Sequence, residues 1–259
     1  MYHYIVNPSS GGNQYDGIQH KLKSRLQQLQ IDGEFSKTLE AGDAEKITRS
    51  FIKQGAKTIV VIGGDSTIND VITTINSSGK HSIAVGIIPM GDSIIGQHLG
   101  IDDWKHACEL LASRRLQPFN VMHINDYSFI HSCSITLSKD SPLPFLAEID
   151  GEFRLRGHAG QIELSNQKLL NASLPNQLLA RFESPSASKW KYRFLSIGRQ
   201  TPSQISQLHA RVIILEFEDS FTAVIDGRTF KDSMFRIRLS NAPVKLITNK
   251  PQRQGFDYD

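Results

Sequence analysis

Thr58-Ile-Val-Val-Ile62 is an unbroken run of β-branched residues that ends on Gly63-Gly64-Asp65-Ser66-Thr67. A strand with no polar alternation is buried on both faces, as in a parallel sheet with helices above and below. The apolar run Ile83–Ile88, closed by Pro89, is a second segment of the same kind. Strand and helix patterns alternate around these two. Tyr2–Val6 reads as a strand, and Ile18, Leu22, Leu26 and Leu29 mark one face of a helix. Glu34–Leu39 reads as a strand. Asp43 caps a helix running through Gln54, with Ile47 and Phe51 turned inward, and Asp102–Leu111 is a further helix. This order predicts an α/β domain with a parallel sheet.

The pattern changes near Leu116. Short alternating segments follow, at Tyr127–Leu137, Ala147–Leu155, Gln161–Leu164, Ala210–Phe217, Phe221–Asp226 and Met234–Leu239. They predict an all-β second domain of sandwich type. A chain of 259 residues is long enough for two modest cores. The expected organisation is therefore an α/β domain over residues 1–115, a β-sandwich over 116–249 and a polar flexible tail over 250–259.

Other features narrow the class. No apolar run approaches the roughly 20 residues of a spanning helix, and the first residues lack the pattern of a secretory signal. Cys108 and Cys133 have neither metal nor disulfide spacing, which fits a reducing cytoplasm. Charge is uneven: residues 1–152 hold 13 Lys/Arg against 17 Asp/Glu, and residues 153–259 hold 16 against 9. A basic second half fits an anionic partner, whether lipid surface, nucleotide phosphate or nucleic acid, but equally fits a merely solvated face. Within it, Lys189-Trp-Lys-Tyr-Arg-Phe194 alternates cations with aromatics. That pattern suits a half-buried strand with a wet basic face, or a strand at a membrane interface. Stacking on single-stranded nucleic acid is a weaker reading. Asp150-Gly151 reads as a hairpin turn.

The segment Val60–Asp70 carries the sharpest chemical signal. A buried strand runs into two glycines, which permit a tight turn and close approach of a ligand to backbone. A helix then opens around Ser66–Thr67, and its exposed N–H groups and dipole make a natural anion site. The plainer reading is a loop followed by an ordinary helix cap.

The wider constellation is more specific. Asn7-Pro-Ser-Ser-Gly-Gly12 follows the first strand, Gly63–Thr67 a central one and Gly86-Ile-Ile-Pro-Met-Gly91 the next; Val224-Ile-Asp-Gly-Arg228 comes late. In this order and spacing the chain resembles the diacylglycerol kinase catalytic-domain family, which includes bacterial lipid kinases and sphingosine kinases; NAD kinases are more distant relatives. The resemblance implies ATP and Mg²⁺ as cofactors and a lipid hydroxyl, diacylglycerol- or sphingoid-like, as phosphoryl acceptor, with ATP and acceptor meeting in a cleft between the two domains. It implies that Asn7, Pro8, Ser10, Gly11, Gly63, Gly64, Asp65, Thr67, Pro89 and Gly91 hold nucleotide. It implies catalytic roles for Asp65 and for Asp226 as general base. It implies that Asp65 and Thr67 serve metal as well as nucleotide, and leaves the metal's ligand set unknown. It implies a cytoplasmic protein that reaches its lipid from the membrane periphery.

Departures from the family pattern set up a second reading. Ser66 replaces a phosphate-loop glycine, which is tolerable if its φ stays negative. Asp92 replaces a threonine and puts a carboxylate toward phosphate. Asn120 stands at a metal-site aspartate of the bacterial enzymes, and Arg228 replaces the glutamate of Asp-Gly-Glu. The alternative is a pseudokinase that keeps the fold and works as a nucleotide- or lipid-binding regulatory module.

Overall fold

The computed structural model describes residues 1–138, 141–166, 177–183, 205–225 and 228–248. Asp226, Gly227, Lys189–Phe194 and the tail from 250 onward lie outside the described residues. The chain forms two compact units: Met1–Val121 with a segment that returns at Asn241, and an intervening unit from Met122 to Ser240.

The first unit runs β1 (Tyr2–Val6), α1 (Gln14–Gln28), β2 (Gly33–Lys37), α2 (Asp43–Lys53), β3 (Thr58–Gly63), α3 (Asp65–Ser77), β4 (Ala84–Pro89), α4 (Ile94–His98), α5 (Trp104–Ser113) and β5 (Leu116–Phe119). The intervening unit holds β6 (Met122–Ile124), β7 (Tyr127–Phe129), β8 (Ser132–Thr136), β9 (Leu143–Ile149), β10 (Phe153–Ala159), β11 (Gln161–Asn166), β12 (Leu178–Glu183), β13 (Ile205–Ala210), β14 (Val212–Ile225) and β15 (Arg228–Leu239); β16 (Val244–Ile247) belongs to the first unit again.

The first sheet has the order β2-β1-β3-β4-β16-β5, parallel except for β5, which runs antiparallel to β16. Every residue of β3 is buried, as the unbroken apolar run requires of a strand covered on both sides. Helix α1 packs with α5 and α2 with α3. The neighbours of β1 are β2 on one side and β3 on the other, so the chain's winding reverses between β1 and β3. In open α/β sheets the crevice at such a reversal, outside the carboxyl ends of the strands, is where ligands bind.

The second sheet is antiparallel, in the order β13-β12-β11-β8-β14-β15-β6-β7, with β9 joining β14 to the edge strand β10. The ring of Phe145 on β9 stacks on that of Phe182 on β12, with centroids 4.9 Å apart. Strands so far apart in the order meet because the sheet curls over one core, whose buried residues include Ile135, Leu164, Leu215 and Phe235. A register shift between Glu216 and Phe221 bends β14, which serves β9 before it and β8 after it.

The fold class is as expected: a parallel-sheet α/β unit and an antiparallel, sheet-rich unit. The limits of the elements differ in instructive ways. Residues 116–119 and 244–247 pair in the parallel sheet, so the span 116–249 does not stay with the antiparallel one. The stretch Ala147–Leu155 is a hairpin rather than one strand: Asp150 (φ 53°) and Gly151 (φ 73°) turn it, as the Asp-Gly pair predicts. The Asp150 carboxylate accepts from the N–H groups of Arg211 and Val212, both at 2.8 Å, which pins the turn. Cys108 and Cys133 are both buried and free. Among the described residues no helix is long and apolar enough to cross a membrane.

Candidate nucleotide site

Three loops at the carboxyl ends of β1, β3 and β4 converge. Asn7, Pro8, Ser10 and Gly11 lie in the loop after β1. Gly63 ends β3, Gly64 caps α3, Asp65 and Thr67 sit in its first turn, and Gly91 follows β4. The side chain of Asn7 does two jobs. Its Oδ1 accepts from Ser9 N at 3.1 Å, turning the loop, and its Nδ2 donates to Thr67 Oγ1 at 2.9 Å, tying the loop to buried Thr67 on α3. Ser10 Oγ accepts from Gly64 N at 3.0 Å. Gly63 O accepts from Met90 N at 3.0 Å, joining the second loop to the third.

The glycines act differently from the expectation. Gly64 is extended (φ −86°, ψ 178°), a conformation open to any residue, so the Gly63-Gly64 pair makes no left-handed turn. The left-handed positions fall instead on Gly11 (φ 61°) and Gly12 (φ 65°) of the first loop and Gly91 (φ 75°) of the third. A Cβ on Gly11 would sit 2.5 Å from Gly91 N, so the first and third loops touch backbone to backbone. Gly91 N donates to Gln14 Oε1 at 3.0 Å.

Asp65 faces the third loop. Its carboxylate accepts from the Ser93 hydroxyl, from Ile94 N at 2.9 Å and from Ile95 N at 3.4 Å. Ser93 Oγ in turn accepts from Gly96 N at 2.9 Å, capping the single turn α4. Burial pulls the His98 imidazole, at the end of that turn, below its usual pKa, with the Asp65 charge opposing. The first turn of α3 thus carries the acceptor that holds the third loop in place.

Sequence reasoning missed Ser93, Gln14 and α4. Asp92, placed at the family's threonine, is exposed, while the buried hydroxyl that joins the network is one residue later, at Ser93. A Ser followed by Ile-Ile-Gly is a cap signal, but five residues are too few to show helical periodicity. Ser66 meets the condition set for it: it lies in α3, at negative φ, with its side chain exposed. Asn120 is buried.

The arrangement fits a phosphate group. Helix α3 runs 13 residues and directs its amino end to the point where the three loops meet. A neighbouring cleft of about 460 Å³, lined by Gln14, Met90, Asp92, Asp102, Asp103 and Trp104 among others, has the wrong sign: its carboxylates repel phosphate. The Asp65 oxygens accept three bonds, and no group of three or more His, Cys, Asp or Glu side chains among the described residues is placed to hold a metal; Mg²⁺ in nucleotide sites is usually held by one or two carboxylates together with the phosphates themselves.

Residues 1–124 match the family model of the diacylglycerol kinase catalytic domain. Among curated proteins, the chain is 29% identical over 103 residues to the "Probable lipid kinase YegS-like" of Alcanivorax borkumensis, covering 36% of this chain and 32% of that one. It is 26% identical over 168 residues to a protein of the same description from Xanthomonas euvesicatoria, covering 62% and 53%. It is 28% identical over 87 residues to a diacylglycerol kinase of Staphylococcus carnosus, covering 34% and 28%. The matched stretch therefore spans about a third to a half of the length of these relatives. Among solved structures, a diacylglycerol kinase from Bacillus anthracis superposes with a TM-score of 0.75 at 21% identity over 96% of each chain. An NAD kinase from Archaeoglobus fulgidus, in complex with ATP, gives 0.61 at 16% identity over 96% of this chain and 94% of that one. Both likenesses establish a shared fold.

Proposed function

We propose that the protein, whose residues 1–124 match the family model of the diacylglycerol kinase catalytic domain, binds ATP at the amino end of α3 and transfers its γ-phosphoryl group to a lipid hydroxyl. The observation that carries the reading is the joining of three separate loops at one helix terminus, by Asn7–Thr67, Ser10–Gly64, Gly11–Gly91 and Asp65–Ser93. Backbone N–H groups and the helix dipole would hold the phosphates there, and by resemblance Mg²⁺ would neutralise their charge. Asn7 and Ser10 fix the first loop, Gly11 and Gly91 let backbone approach backbone, and Thr67 anchors the helix end to Asn7. Asp65 acts as a positioning residue that holds the Ser93–Ile95 turn against α3. By resemblance, Asp226 takes the proton of the acceptor hydroxyl, and the acceptor is diacylglycerol- or sphingoid-like.

Transfer of labelled γ-phosphate to diacylglycerol in mixed micelles tests this directly. The expected result is turnover that Asp226→Asn abolishes while ATP binding persists. Absence of turnover across diacylglycerol and sphingoid acceptors would overturn the transfer step.

One observation favours a second reading, a nucleotide-binding module without transfer. The carboxylate of Asp65 is committed to Ser93 and the amides of α4, so it is not free to take the catalytic role that the resemblance implies. Under this reading Asp226→Asn changes neither binding nor any turnover.

A further inference from the structure

The antiparallel sheet has one buried face, and its register decides what stands on the other. Arg156 pairs with Leu146, Leu146 with Glu216 and Glu216 with Met234, forming one row across β10, β9, β14 and β15. The next row is Arg154, Glu148, Ile214 and Arg236. A third is Val212, Arg238 and His123, extending onto β6. Alternation along each strand puts these residues on the side opposite buried Phe145, Ala147, Ile213, Leu215, Phe235 and Ile237.

Four arginines therefore share one exposed face with two glutamates. Arg154 reaches Glu148 at 3.2 Å. Among the described residues no ion pair involves Arg156, Arg236 or Arg238. Three strand spacings put Arg154 and Arg236 about 14 Å apart, so the cations frame the surface rather than cluster at a point. Between them stand apolar side chains that a wet sheet face does not need. Leu146 is 40% exposed and Met234 47%, with half-buried Ile214 between their strands.

We propose that this face, framed by Arg154, Arg156, Arg236 and Arg238 around Leu146, Ile214 and Met234, docks on an anionic phospholipid surface. Guanidinium groups would pair with headgroup phosphates while the apolar side chains enter the interfacial layer. The interleaved Leu146 and Met234 select a bilayer over a nucleic acid, whose phosphate backbone offers no apolar layer to receive them. The proposal rests on the reading of a lipid acceptor and adds to it the surface through which the protein reaches that lipid.

Co-sedimentation of the full chain with vesicles tests it, using phosphatidylcholine alone and phosphatidylcholine containing phosphatidylglycerol. Wild type is expected to bind the anionic vesicles and not the neutral ones. Each arginine removed should weaken binding about fivefold, so the pairs R154Q/R156Q and R236Q/R238Q should each lose roughly 25-fold. Leu146→Ser with Met234→Ser should weaken it at unchanged net charge. The pair K53Q/K80Q, which removes the same charge from exposed positions on the other unit, should leave it within about twofold of wild type. Three results would overturn the proposal: no binding to anionic vesicles, an equal loss in K53Q/K80Q, or arginine-dependent binding to a short RNA or DNA duplex in place of vesicles. ATP titration of the same variants keeps the two claims apart, because the face should not alter nucleotide affinity and loss of nucleotide binding would not alter sedimentation.

Discussion

Strand β3 of the parallel sheet is buried at every position, whereas β15 of the antiparallel sheet alternates exposed and buried residues from Met234 to Leu239. The difference decides where each sheet can carry chemistry. A strand covered on both sides has no side chain left for a ligand, so what it can offer lies at its carboxyl end; there the loops at Asn7–Gly12, Gly63–Thr67 and Pro89–Ser93 converge. A strand with one wet face can present residues along its whole length, as β10 and β15 do with their arginines.

Matched substitutions give the largest test of this contrast. Ile62→Ala in β3 should cost about 2–5 kcal/mol in urea unfolding, because the methyl groups it deletes lie in a filled interior. Val224→Ala on the exposed face of β14 should stay within about 0.5 kcal/mol. Equal costs would erase the distinction between the sheets.

The same contrast governs what could be read from the sequence. The run Thr58–Ile62 revealed the parallel sheet because burial on both faces removes every polar residue. Asp150-Gly151 revealed its hairpin because only a few residues tolerate positive φ at both turn positions. Strand β16 stayed hidden: its partner β4 lies far back in the chain, and four residues carry no period. The segments Ala210–Phe217 and Phe221–Asp226 read as two strands because the irregularity in β14 breaks the alternation, though the strand runs through it. At the site, the glycines and Asn7 were legible as motif, but the roles were not. Asp65 looks catalytic in sequence and caps α4 in space, and Ser93 gained its meaning only once α4 had formed around it.

A smaller effect should sharpen the account of the loops. Asp65→Ala removes the carboxylate acceptor of Ser93 Oγ and Ile94 N, and should cost about 1.5–3 kcal/mol. Hydrogen exchange should show the loss concentrated in residues 93–98 rather than spread through the sheet. A uniform loss would place Asp65 in the general fold instead of the third loop.

The smallest expected effect lies at the start of α2. Asp43 accepts from Leu39 N and Glu40 N and pairs with Lys46, and these bonds hold its carboxyl below the usual aspartate range. A lowered folded-state pKa means that the stabilisation is present above the unfolded value and fades as pH falls through the folded one. Wild type should therefore exceed Asp43→Asn slightly in melting temperature at neutral pH, and the two should converge in acid. A gap that persists unchanged at low pH would show that charge is not the cause.

Calorimetric titration of ATP into the full chain, alongside Gly11→Val, tests the central claim most directly. A Cβ at position 11 must collide with Gly91 backbone and hold a branched residue at positive φ, so it separates the first loop from the third. The account predicts saturable binding by wild type and none by a folded Gly11→Val protein. Failure of wild type to bind at millimolar ATP, or equal binding by the variant, would contradict a nucleotide site built from the three loops.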